Sequence, residues 1–209
     1  MVPGDDRGPE TDDDRLIRTL PRRARRALLL GVGIALAGGA VLGVGLGLIV
    51  ALLSSDSEGG LELGDLVELV PIVLSLVLIG AAAGLLAATM PIGRRIVEVG
   101  GRGRAARAVR RHVLRDEPAA SEVDHDRAVR WAGLYGAAIP YQTAGFAALY
   151  LGILMTQVVP LLGVSPGSSW RWWVSASTSA FIIIAVGATL PVQLRQARRA
   201  SRYRDAHPA

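Results

Sequence analysis

Residues 27–53 carry no charge. As a helix rising 1.5 Å per residue, this run is longer than the roughly 30 Å hydrocarbon core of a bilayer. Its glycines could in principle cradle a phosphate, but the spacing is wrong. Gly31 and Gly33 are followed by Leu36 where a dinucleotide loop needs a third glycine, and a phosphate-binding G-K-[ST] loop needs a lysine that this chain lacks. All 23 basic residues are arginine. Instead, Gly31, Ala35, Gly39, Gly43 and Gly47 recur at intervals of four, which predicts a row of small residues where another helix backbone can approach closely.

Three further uncharged stretches follow, at 69–93, about 132–169 and 172–194. The third contains the turn signal "LLGVSPGSS", which ends its helix near residues 160–162. The chain is 51% hydrophobic yet 20% charged, so the charges are segregated between the spans. An all-α, polytopic membrane protein with four transmembrane helices is predicted. The boundaries read as a largely disordered cytoplasmic tail over 1–26, a helical hairpin over 27–91 with an external loop at 54–65, an Arg-rich cytoplasmic linker over 92–130, a second hairpin over 131–194 with an external loop at 163–171, and an Arg-rich tail over 195–209. The acidic opening "MVPGDDRGPETDDDR" and the closing "RDAHPA" are both expected to be disordered.

Arginine placement orients the spans. Seven arginines precede the first span, ten lie between the second and third, and five follow the fourth, whereas the two predicted external loops hold only Arg171, among Trp170, Trp172 and Trp173. Positive charge is retained on the cytoplasmic side. The sequence therefore predicts a multi-pass protein of the plasma membrane with both termini cytoplasmic. The segment "RRARRALLL" resembles the start of a signal peptide, but its apolar run is too long for one. The absence of lysine suggests a GC-rich bacterial source, and the absence of cysteine excludes disulfides and thiolate sites.

An internal echo links "ATMPIGRR" at 88–95 to "ATLPVQLR" at 188–195. Two readings stay open: a duplicated, parallel helical hairpin, or recurrence of the same boundary chemistry without common origin. Small-residue rows also mark the second span at Gly80, Gly84 and Ala88, and the third at Ala132, Gly136, Pro140, Ala144, Ala148 and Gly152. They predict helix packing within the chain, or alternatively between copies of it. Pro71 and Pro140 lie inside spans, where a kink is expected.

No charge lies near the centre of a span. Glu68, with Asp65 and Glu62 at three-residue intervals, sits at an outer boundary and is read as a solvated helix start. On the third span, Tyr135, Gln142 and Thr156 form a candidate polar seam, read first as structural hydrogen bonding and otherwise as a ligand path. "GRGRAARAVRRHVLR" at 101–115 predicts a basic helix after its glycines, with Arg104, Arg107, Arg110, Arg111 and Arg115 beside Ala106, Val109 and Val113. Next to a membrane such a helix binds anionic lipid. Nucleic acid is not expected as a partner, for want of interleaved aromatics. Adjacent residues on a helix diverge and no second histidine follows at i+4, so His125 between Asp124 and Asp126 is not read as a metal ligand. No catalytic constellation, metal site or cofactor motif is found. The expected role is a non-enzymatic structural or accessory subunit that contacts membrane lipids and another membrane protein or itself. A small homo-oligomeric transporter or channel is the alternative.

Overall fold

The computed structural model describes residues 12–53, 63–115, 122–162 and 169–207, and these are helical apart from short connections. Five helices follow in order: α1 (Asp12–Leu53), α2 (Leu63–Gly100), α3 (Arg104–Arg115), α4 (Glu122–Leu162) and α5 (Trp170–Ala206). Among the described residues, the four long helices are each long and apolar enough to cross a membrane. The fold is all-α, as the segregation of charge predicts. Helical structure continues through Pro71 and Pro140.

The boundaries differ from those read in the sequence. Residues 12–26, expected within a disordered tail, form the first turns of α1, and 195–206, expected as a tail, form the end of α5. Likewise α2 runs on to Gly100 and α4 starts at Glu122, so much of the expected linker is helix. The physical reason is apolar spacing within these charged segments. Leu16, Ile17, Leu20 and Ala24 lie on one face of α1, and Ala197, Ala200 and Tyr203 on one face of α5. Each set has a core to enter. Asp12, Asp13 and Asp14 also favour the first turn of α1, where carboxylates meet the positive end of the helix dipole.

The described residues divide into two compact units. One draws on Met1–Ala24, Ala88–Gln142 and Gln193–Ala209, and the other on Arg25–Ala87 and Thr143–Val192. The first unit has a core of large side chains. Leu20, Ile92, Leu134 and Ala138 are buried together, with Leu16, Ile17 and Tyr141 packed against them. A second cluster joins Val109 and Val113 of α3 to Ala128, Trp131 and Ala132 of α4 and to Ala200 and Tyr203 of α5. The turn that brings α3 here depends on glycine. Gly101 (φ 78°) and Gly103 (φ 62°) are left-handed, a conformation that costs any residue with a Cβ about 1 kcal/mol or more.

The second unit is built on backbone approach. A Cβ placed on Gly31 would collide with the carbonyl oxygen of Gly80, one on Gly80 with Gly31 and Ala35, and one on Gly84 with the carbonyl of Ala27. These residues bring α1 and α2 together. On α4, a Cβ on Gly145 would press on Leu86, and one on Gly152 would lie 2.9 Å from the Ile79 side chain and 3.1 Å from the Ser75 carbonyl oxygen. Outside these seams the unit presents large apolar side chains, among them Leu30, Ile34, Phe181 and Ile184, as a lipid-facing surface would.

The expected rows hold on α1 and α2, where Gly31, Ala35 and Gly39 face α2 and Gly80 and Gly84 face α1, but the row expected on α4 does not keep to one face. A Cβ on Gly39 would lie 3.3 Å from the Leu76 side chain of α2, whereas on α4 Pro140 and Ala144 are exposed while Gly145 is buried. Four residues turn a helix by about 40° beyond a full revolution, so a strict four-residue row as long as the one on α4 winds away from its neighbour. The packing of Gly43 and Gly47 lies outside the described residues.

Candidate functional site

In the first unit, the start of α1 is fastened by charge. Asp13 is buried, and both of its carboxylate oxygens are engaged: Arg95 Nε of α2 donates to Oδ1 at 2.8 Å, while Arg130 Nε and Nη2 of α4 donate to Oδ2 at 2.9 and 2.7 Å. Arg95 also donates to Glu98 at 3.0 Å, and Arg204 of α5 lies 3.5 Å from Asp14. Two adjacent aspartates thus tie α1 to the other three long helices. Asp13 precedes the uncharged run 27–53 by more than three turns. Burial works to raise the pKa of its carboxyl, but the hydrogen bonds and charges of Arg95 and Arg130 outweigh it and hold it below the usual carboxylate value.

Beside this clamp lies an open cleft of about 830 Å³, where Asp13, Asp14, Asp126 and Asp205 face Arg130, Arg204 and His207. A smaller one of about 440 Å³ is flanked by Arg95, Glu98, Arg127 and Arg130. Both mix opposite charges, and their arginines at the clamp already serve Asp13. Among the described residues no group of three or more His, Asp or Glu is placed to hold a metal. The acidic trio Glu62, Asp65 and Glu68 lies outside the residues whose side chains are described.

The basic helix has two distinct faces. Val109 and Val113 are buried, while Arg104, Arg107, Arg110, Arg111 and Arg115 are exposed. Arg110 donates to Gln196 at 3.4 Å, and Arg199 donates to the Leu114 carbonyl at 3.3 Å. The helix is therefore held to α5 at both its middle and its end. Arg104, Arg107 and Arg111 carry charge outward from it.

The three seam residues have separate partners. Tyr135 stacks on Trp131 at 4.5 Å and donates to Gln196 at 3.1 Å, and Gln142 lies alongside Gly93. Thr156 belongs to the second unit. There it donates to the Ile153 carbonyl of its own helix at 2.7 Å and accepts from Gln157 at 2.9 Å. Likewise Thr189 turns back onto the Ala185 carbonyl, whereas Thr89, its counterpart in the "AT(M/L)P" echo, is buried.

Sequence reasoning missed two groupings. The aspartate clamp joins residues 82 and 117 positions apart, and the three histidines of the chain, His112, His125 and His207, gather around the buried Tyr203. Neither has a local motif. For the clamp, the available signal is the apolar row Leu16, Ile17 and Leu20, which places Asp13 on the side of α1 that enters a core. No family model matches the chain, and no match is found among curated proteins or solved structures.

Proposed function

We propose that this chain is a non-enzymatic integral protein of the plasma membrane, a structural or accessory subunit whose termini and basic helix α3 are cytoplasmic. The observation that carries this reading is α3 itself. Its apolar row is consumed by the core of its own unit, so its arginines are presented on a fixed scaffold rather than on a loose linker. Next to a bilayer each outward arginine contributes about 1 kcal/mol of attraction to anionic lipid. The arginine bias of the sequence supports the cytoplasmic placement, and the seam residues Tyr135 and Thr156, each bonded within the protein, support a structural use of the polar groups.

The test is lipid retention by the full-length protein in nanodiscs of mixed zwitterionic and anionic lipid. Native mass spectrometry should show anionic lipid enriched on the wild type, and the variant with Arg104, Arg107 and Arg111 changed to Gln should lose that enrichment. Equal enrichment in both would overturn the lipid-binding role of α3. A reporter fused after Ala209 tests the topology independently: activity outside the cytoplasm would refute the orientation.

A further inference from the structure

Three of the four tryptophans of the chain fall within 170–173, with Arg171 among them. They form the first turn of α5, a helix long and apolar enough to cross a membrane. The turn is capped by its own chain. The Trp172 backbone N–H donates to Ser169 Oγ at 3.3 Å, and that of Trp173 donates to the Ser169 carbonyl at 3.4 Å. Trp172 is half-buried and meets the Trp173 ring edge-on at 5.1 Å, bracing it from the inner side. Trp170 and Trp173 turn outward, 72% and 59% exposed, and Arg171 is exposed beside them.

Helical spacing puts these side chains on a face that continues along α5. Trp170, Val174 and Phe181 share one side of the helix, with Trp173 and Ile184 next to it, and all of them are exposed. Beyond the first turn the large side chains of this face are plain hydrocarbon. Within the first turn the chemistry changes. An indole combines a broad apolar body with a single N–H, a guanidinium consists of donors, and neither accepts a hydrogen bond. Hydrocarbon has no acceptor for these donors, and water leaves the apolar bodies uncovered. The layer of ester and phosphate oxygens at a bilayer surface meets both needs.

From this arrangement we infer that the Trp170–Arg171–Trp173 turn is a headgroup-binding anchor. The indoles lie among the glycerol esters of the surrounding phospholipid, Arg171 pairs with a phosphate, and together they hold the start of α5 at the membrane surface. Phosphate is common to all phospholipids, so zwitterionic lipid suffices, and the anchor does not depend on the anionic lipid proposed for α3. Phe181 follows Trp170 by 11 residues, a rise of about 16 Å, which puts it well inside the hydrocarbon when the indoles sit at its edge.

Fluorescence of the full-length protein in nanodiscs of zwitterionic lipid tests this. Bromines near the headgroup end of the acyl chains should quench more of the emission than bromines near the chain ends, and the Trp170→Phe, Trp173→Phe variant should lose most of that difference. No difference in the wild type, or an equal one in the double variant, would overturn the anchor. So would quenching of the same emission by aqueous iodide, which marks indoles in water, or shielding from both quenchers, which marks cover by another protein chain. The chain has no cysteine, so Ser177→Cys, on the same exposed face, reports the seating of α5 by its reaction with an aqueous maleimide. Changing Trp170 and Trp173 to Ala and Arg171 to Gln in that background should speed the reaction about tenfold or more, as expected for losing the apolar contact of one buried aromatic side chain. Phe181→Ala, on the same face but deeper, should leave the rate unchanged. An unchanged rate in the anchor variant, or an equal increase with Phe181→Ala, would overturn the proposal. No anionic lipid is present in either measurement, so the anchor and the proposed function fail separately.

Discussion

The two units are made from the same long helices and are stabilised in opposite ways. The unit containing Gly31, Gly80 and Gly84 removes side chains from its contacts and turns large apolar groups outward. The unit containing Asp13, Leu20 and Trp131 buries large side chains and turns arginines outward. Two solvents explain the contrast. In hydrocarbon there is no hydrophobic drive to bring Leu onto Leu, so close backbone approach and dispersion hold helices together. In water, apolar burial at roughly 25 cal/mol per Å² does the work and charges stay outside unless paired.

The largest effect should come from forcing a side chain into the backbone seam. Gly80→Leu leaves no space against Gly31 and Ala35, and overpacking of this kind should cost about 3 kcal/mol or more, read as a lower unfolding temperature in detergent. A Cβ on Gly33 would meet nothing within 4 Å, so Gly33→Leu should stay within about 0.5 kcal/mol of wild type. If the two variants behave alike, the second unit is not held by backbone approach.

Breaking the clamp is next in size. Asp13→Asn leaves Arg95 and Arg130 with a neutral partner. A broken buried pair costs about 3–5 kcal/mol, but both arginines are substantially exposed, so about 1–3 kcal/mol is expected after allowing for solvent screening. The same variant sharpens a pH prediction. Because the Asp13 carboxyl is held below its usual value in the folded chain, the folded state binds that proton less readily than the unfolded one. Its contribution is complete above about pH 4 and is lost as the pH falls through the lowered value. Acid denaturation of wild type followed by circular dichroism should therefore begin from a higher stability than that of Asp13→Asn, and the two curves should converge at low pH.

A smaller loss is expected from Gly101→Ala. Its φ of 78° places the new methyl in a left-handed residue, 3.3 Å from Ala105 Cβ, for about 1 kcal/mol. The loss should appear as faster hydrogen exchange in α3 alone. The smallest effect on stability should come from changing Arg104, Arg107 and Arg111 to Gln, within about 0.5 kcal/mol. A large loss there would show that the outward arginines serve the first unit's own structure.

Spans were legible in the sequence because lipid tolerates so little charge: 27–53 and 69–93 announce themselves by what they lack. The ends of the same helices were not. Counting arginines in 12–26 and 195–206 hides the apolar rows Leu16, Ile17, Leu20 and Ala197, Ala200, Tyr203, which are too short to stand out beside a membrane span. The longest small-residue row, on α4, was read on too straight a line. A four-residue repeat finds the α1–α2 contact at Gly31, Gly80 and Gly84, but on α4 it runs through the exposed Pro140 and Ala144 and misses the buried Gly145. The clamp and the histidine cluster depend on pairings between distant helices, for which a single sequence has no periodic signal.

The separation of the Asp13 partners along the chain imposes an order on biogenesis. The seam between Gly31 and Gly80 can close once the second span has left the ribosome. Asp13 can engage Arg95 soon afterwards, but its second oxygen must wait for Arg130, 117 residues downstream. At about 5–20 residues per second, the nascent chain spends several seconds with its first hairpin inserted and its amino-terminal turns only half fastened. During that interval Asp13, at the start of α1, is held to the rest of the chain by Arg95 alone.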